Sequence, residues 1–149
     1  MSPEDGDESP ADATGAPVDA DRLDPVAERL RGDGRFARVT REPEFAPRRV
    51  VCGFEDGFCP GTVAEARLGT RFENGDFSLH YHESHADGGA FDHRWDRHPS
   101  THDARDHVHP GPDAPTPGED ADHPADWRDV LATALDEVQD RQRAFWTDG

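Results

Sequence analysis

Two alternating runs joined by Asn74-Gly75 constrain this chain more than any other feature. From Val63 to Glu73, Ala64, Ala66, Leu68, Thr70 and Phe72 fall on one side, and Glu65, Arg67 and Arg71 on the other. From Asp76 to Glu83, Phe77, Leu79 and Tyr81 alternate with Ser78, His80 and His82. A period of two is the mark of a half-buried strand. Asn-Gly is a favoured two-residue hairpin turn because both positions tolerate positive φ, and a turn of that length sets the register. Phe72 then faces Phe77, Thr70 faces Leu79 and Leu68 faces Tyr81. On the opposite side Arg67 meets His82 and Gly69 meets His80. A chain committed to this hairpin must bury one face and leave the other polar.

The flanking segments extend and cover that sheet. Phe36–Arg41 and Arg48–Phe54 read as short strands, Phe54–Gly61 as a loop and Ala86–Gly89 as a turn. Phe91–Arg97 reads as a strand with Phe91, His93 and Trp95 on one side and Asp92, Arg94 and Asp96 on the other. If Phe91 and Trp95 join the core, Arg94 and Asp96 share the polar face with His80 and His82. His98–Asp106 is a polar loop, and His107-Val108-His109, if extended, turns both imidazoles to one side. Helical spacing of Leu23, Val26 and Leu30 predicts a short helix near Asp21–Arg31, with Asp24 as cap, Pro25 first in the helix and Gly32 as stop. Leu23 can alternatively act as a staple before the cap. Trp127, Val130, Leu131, Ala134, Leu135, Val138 and Phe145 form the apolar stripe of a helix from about Pro124 to Trp146.

The expected architecture is therefore α+β. It is an antiparallel sheet of about four to five strands, with a short N-terminal helix and a long C-terminal helix packed on one face and the His/Arg face open. Residues 1–19, rich in Pro, Gly, Ser, Ala and acid, are expected to be a disordered acidic tail. Residues 20–149 are expected to form one domain, with the Pro- and Asp-rich segment 110–123 as a flexible link.

Charge limits the function classes. The formal net charge is −17, and all 16 basic residues are Arg. Acid spread along the whole chain resembles haloarchaeal proteins, in which molar salt shortens the Debye length to about 3 Å and like charges stop repelling. The competing reading is an acidic surface for a basic partner. Nucleic-acid recognition would have to rest on a few local Arg and aromatic contacts, because counterion release contributes little in molar salt. No basic-then-apolar leader and no run near the ~20 apolar residues of a membrane span occurs, so a cytoplasmic, non-membrane protein with reduced Cys52 and Cys59 is expected.

The chemistry is concentrated between Phe77 and Pro110, which hold eight of the nine histidines. Histidine titrates near neutral pH and suits proton transfer there. His80/His82 and His107/His109 are alternate-residue pairs that could ligate a transition metal, with Asp96 or Glu83 adding oxygen. No HExxH and no paired CxxC occurs, so no metal and no cofactor is expected. Two histidines and an arginine also supply what metal-free RNA cleavage needs: a base for the 2′-OH, an acid for the departing 5′-oxygen and a cation for the phosphorane. The candidate catalytic residues are His80, His82, Arg94, Asp96, His98, His107 and His109, with Arg97 as an alternative phosphate clamp. Tyr81 and Trp95 are read as core, Arg105 as a surface ion pair, and His85, His102 and His123 as loop residues. No GxSxG and no Gly-rich phosphate loop is present.

The order His80-Tyr81-His82, a turn with Asp87-Gly88, Arg94-Trp95-Asp96 with His98-Pro99, then His107-Val108-His109 resembles the small TumE-type toxins. The resemblance covers roughly residues 63–110. It implies an RNA-directed toxin paired with a helix-turn-helix antitoxin, with the family's site falling on His80, Arg94, Asp96, His98, His107 and His109. Long acidic tails and strong acidity depart from the family pattern. Two classes stay open. One is a ribonuclease-type toxin with an RNA substrate and an antitoxin partner. The other is a non-catalytic α+β interaction or metal-binding module of a halophile.

Overall fold

Alternation and turn chemistry build a seven-stranded antiparallel meander in the computed structural model, which describes residues 20–42, 49–58, 63–73, 76–98 and 105–148. The strands are β1 (Phe36–Glu42), β2 (Arg49–Phe54), β3 (Val63–Glu73), β4 (Asp76–His85), β5 (Ala90–Arg97), β6 (Asp106–His109) and β7 (Glu119–Asp120), and each pairs with its sequence neighbours. This exceeds the expected four to five strands. β6 and β7 are too short to show a period of their own and form by adding backbone partners to the edge that β5 leaves. β7 falls within the segment expected as a link.

The central hairpin has the expected register. Phe72 pairs with Phe77, Thr70 with Leu79 and Leu68 with Tyr81, while Arg67 pairs with His82 and Gly69 with His80. Asn74 and Gly75 lie outside the described residues. One face assignment is corrected. The register shifts between Val63 and Glu65, so Val63 is buried and Ala64 exposed, rather than Ala64 facing the core. At the next turn Gly88 has φ +92°, a conformation that L side chains rarely adopt.

Two helices, α1 (Ala20–Arg31) and α2 (Trp127–Asp148), cover one face of the sheet. Pro25 lies inside α1, so Asp24 is not the cap; its carboxylate pairs with Arg41 on β1 instead. Leu23, Val26 and Leu30 are buried as their spacing predicts, and the Gly32 N–H closes the last turn on the Glu28 carbonyl. On α2, Val130, Leu131, Ala134, Leu135 and Val138 are buried, and Trp127 is partly so. The Phe145 side chain lies outside the described set. These residues pack on Val50, Leu68, Phe72, Phe77, Leu79, Tyr81 and Trp95 from the sheet. Burial pushes the free Cys52 thiol up to about 12, which makes it inert; Cys59 lies outside the described residues.

Two polar groups on this side correct the sequence reading. Glu83 follows Tyr81 by two residues and shares its face. Its carboxylate is fully buried and accepts two bonds of 2.8 Å from Arg141 on α2, one of 2.6 Å from the Tyr81 hydroxyl and one of 2.8 Å with His85. Glu83 therefore cannot join His80 and His82. Arg97 is bound to Asp106 at 2.8 and 2.9 Å and donates to the His123 and Pro124 carbonyls, so it is a structural tie rather than a phosphate clamp. Arg105 pairs with Asp76, as a surface ion pair should. Among the described residues no helix is long and apolar enough to cross a membrane.

Candidate active site

The face away from the helices carries the candidate catalytic residues. β4 and β5 align His80 with Arg94, His82 with Asp92 and Ser78 with Asp96. β6 then sets His109 beside Arg94 and His107 beside Asp96. Directly opposite residues share a face, so His80, His82, Arg94, Asp96, His107 and His109 converge as the alternating pattern implied. His98 follows β5 and joins them through Asp96.

Two clusters flank Arg94. In the first, the Asp92 carboxylate lies 2.7 Å from His80 Nε2 and 2.7 Å from His82 Nδ1, and the Ser84 hydroxyl lies 3.1 Å from His82 Nε2. Burial pushes the Asp92 carboxyl up, but the two histidine bonds outweigh it and hold it below its ordinary value. This cluster forms one wall of a groove of about 480 Å³, where Arg49, Arg67 and Arg71 form another.

The second cluster centres on Asp96, which has 0% exposure. Its Oδ2 accepts from Arg94 Nη2 at 2.9 Å and lies 3.2 Å from His109 Nε2, 3.6 Å from His107 Nε2 and 3.8 Å from His98 Nε2. The imidazole of His107 stands edge-on to those of His98 and His109, at 4.8 and 5.0 Å between centres. His107 and His109 are buried, at 1% and 4% exposure, which the expectation of an open His/Arg face did not foresee. The cover is the chain after β6. His109 Nδ1 bonds the Pro115 carbonyl at 2.7 Å, and His123 Nε2 bonds the His107 carbonyl at 3.0 Å. Gly118 runs so close that a Cβ there would lie 2.5 Å from the Val108 carbonyl oxygen and 3.0 Å from His109 Nδ1. Of the candidate catalytic residues, His80, His82, Arg94 and His98 remain accessible to a ligand.

Asp92 was not among the candidate catalytic residues, although alternation had already put it on this face. Pro115, Gly118 and His123 carry no local signal of their roles. His85 sits at the end of β4 against Glu83 rather than in a loop. His93 and Trp95 turn to the helix side, where they and Tyr81, Phe91 and Arg141 line a separate hollow of about 440 Å³. None of the candidate catalytic residues lines it. His102 lies outside the described residues.

The family model described as Toxin TumE matches residues 27–142. The chain belongs to the TumE toxin family. That match runs from α1 through most of α2, so it covers the sheet, its helical cover and both clusters. No curated protein and no solved structure matches the chain. The TumE resemblance drawn from residues 63–110 thus extends over the whole sheet. Its carried-over residues, His80, Arg94, Asp96, His98, His107 and His109, lie on one face of three consecutive strands and the segment after β5.

Proposed function

We propose that this TumE toxin cleaves RNA by metal-free acid–base chemistry on the open face of β4–β6. The observation that carries the reading is Arg94, flanked on one side by His80 and His82, which bond the Asp92 carboxylate at 2.7 Å, and on the other by the histidines gathered around Asp96. Cleavage by the neighbouring 2′-OH removes the hydroxyl proton, forms the 2′-O–P bond and breaks the P–O5′ bond. A proton then goes to the departing 5′-oxygen. Arg94 offers a planar donor fork for the phosphate oxygens, where negative charge accumulates. The His80/His82 pair on Asp92 supplies one proton carrier, and His98 beside Asp96 the other. His107 and His109 are covered from solvent and act as positioning residues that orient Asp96 and, through it, Arg94 and His98. Arg49, Arg67 and Arg71 along the adjoining groove extend the phosphate track, which fits an acidic chain that must recognise a polyanion through local contacts. The partner in this reading is a helix-turn-helix antitoxin, and the setting is the cytoplasm.

The test is growth of a host expressing wild-type chain, Arg94→Ala or His107→Ala/His109→Ala, with total RNA run on a gel. Growth arrest with RNA loss for wild type alone is the expected result. Circular dichroism of purified Arg94→Ala must match wild type. Normal growth and intact RNA with wild type would leave a non-catalytic α+β module as the better account.

A further inference from the structure

Only part of the Asp96 cluster has hydrogen-bond spacing: Arg94 at 2.9 Å and His109 at 3.2 Å from Oδ2. Two of its N···O separations, 3.6 Å for His107 and 3.8 Å for His98, exceed the 2.7–3.2 Å range of such bonds. They approach the edges of a tetrahedron of ligands, about 3.4 Å when each bond is about 2.1 Å. Ligand atoms of Asp96, His98 and His107 all lie within 4.8 Å of one another. Asp96 Oδ1 is buried without a hydrogen-bond partner among the described residues. His109 Nδ1 donates to the Pro115 carbonyl at 2.7 Å. Nε2 then faces the Asp96 carboxylate at 3.2 Å, a contact that either a proton on Nε2 or a shared cation would satisfy. A backbone carbonyl bonded to the far nitrogen is also how ligating histidines are held. By contrast, the 2.7 Å contacts of Asp92 with His80 and His82 are ordinary hydrogen bonds.

The geometry points to a site for a divalent transition metal of the zinc class, formed by Asp96, His98 and His107 with His109 as the fourth donor. An imidazole ligated through Nε2 cannot take up or release a proton at that nitrogen, so an ion here withdraws His98 Nε2 from acid–base work and switches off the metal-free cleavage proposed above, on which this regulatory consequence rests.

The test uses the full chain, dialysed against EDTA, with Co²⁺ as the probe. The expected result is one equivalent bound with visible d–d absorbance, and displacement by Zn²⁺. The signal is lost in His98→Ala and in His107→Gln, and kept in Asp92→Asn. His98 is partly exposed, so its variant tests the site even if His107→Gln fails to fold. Absence of the signal in wild type, or a signal that survives His98→Ala and vanishes in Asp92→Asn, overturns the site. In a parallel assay one equivalent of Zn²⁺ slows RNA cleavage at least tenfold. Cleavage that is unaffected by EDTA and Zn²⁺, with no Co²⁺ bound, sinks the metal site and spares the cleavage reading. Co²⁺ bound normally by a chain that never cleaves RNA does the reverse.

Discussion

Asp96 and Glu83 are both fully buried carboxylates on one sheet, and they differ in how completely they are matched. Glu83 has a bidentate arginine, a tyrosine hydroxyl and a histidine around it. Burial works against its ionisation, yet the bonds from Arg141, Tyr81 and His85 hold it below its ordinary value of 4.5. A depressed folded value means stability that is fully present above about pH 4.5 and lost as pH falls through the folded value. Glu83→Gln should cost roughly 1.5–3 kcal/mol at pH 7, and its urea midpoint should fall less steeply than wild type between pH 5 and 3. Parallel pH curves for the two proteins would contradict this. Asp96 keeps one oxygen without a hydrogen-bond partner among the described residues and sits where chemistry is proposed. Arg94→Ala is expected to abolish RNA loss while far-UV circular dichroism stays unchanged. A variant that unfolds would make Arg94 structural. Gly118→Ala is expected to displace the chain over His109, lowering activity without touching any polar group. Activity of Gly118→Ala equal to wild type would show that the cover can shift without consequence.

At the scale of elements, legibility followed periodicity. The β3–β4 hairpin was readable pair by pair because both strands alternate over seven or more residues around a strong turn. The exception, Ala64, came from a register shift that no residue type announces. β7 was not readable, since two acidic residues on an edge have no period. The helix stripes were readable, but the start of α1 was not, because Asp24-Pro25 imitates a cap inside a longer helix. The site was legible as a face and illegible as a depth. Alternation put Arg94, Asp96, His107 and His109 together, yet their burial is imposed by Pro115, Gly118 and His123, which precede α2 and carry no pattern. Arg97 was misread for a similar reason: its partner Asp106 belongs to a strand too short to assign a face. Leu131, fully buried on α2, gives the element-level prediction. Leu131→Ala should cost about 2–5 kcal/mol in urea denaturation through the cavity it leaves, with activity retained under native conditions.

For the whole molecule, the net charge of −17 is a repulsion that compact folding concentrates. Salt should relieve it. The melting temperature is expected to rise from 0.1 to 1 M KCl, as the Debye length falls from about 10 to about 3 Å. A flat or falling curve would mean that the acidic residues are spaced widely enough not to repel. The two sides of the sheet differ: the helix side is closed by Leu, Val and aromatic packing and also takes Arg97, and the other holds His80, His82, Arg94, Asp96, His107 and His109.

The meander has a kinetic consequence. Every strand pairs with the strand just before it, so closing each ladder needs only a short loop, and topologies of that kind fold quickly. The candidate site occupies β4–β6 and is complete once His109 and its cover, which runs to His123, are made, whereas the last turn of α2 is about 25 residues further on. At about 5–20 residues per second of synthesis, that interval lasts roughly 1–5 seconds. During it the sheet carries its full set of histidines while its apolar face still waits for a lid, so a nascent toxin passes through a stage in which capture by a partner and completion of its own core compete in time.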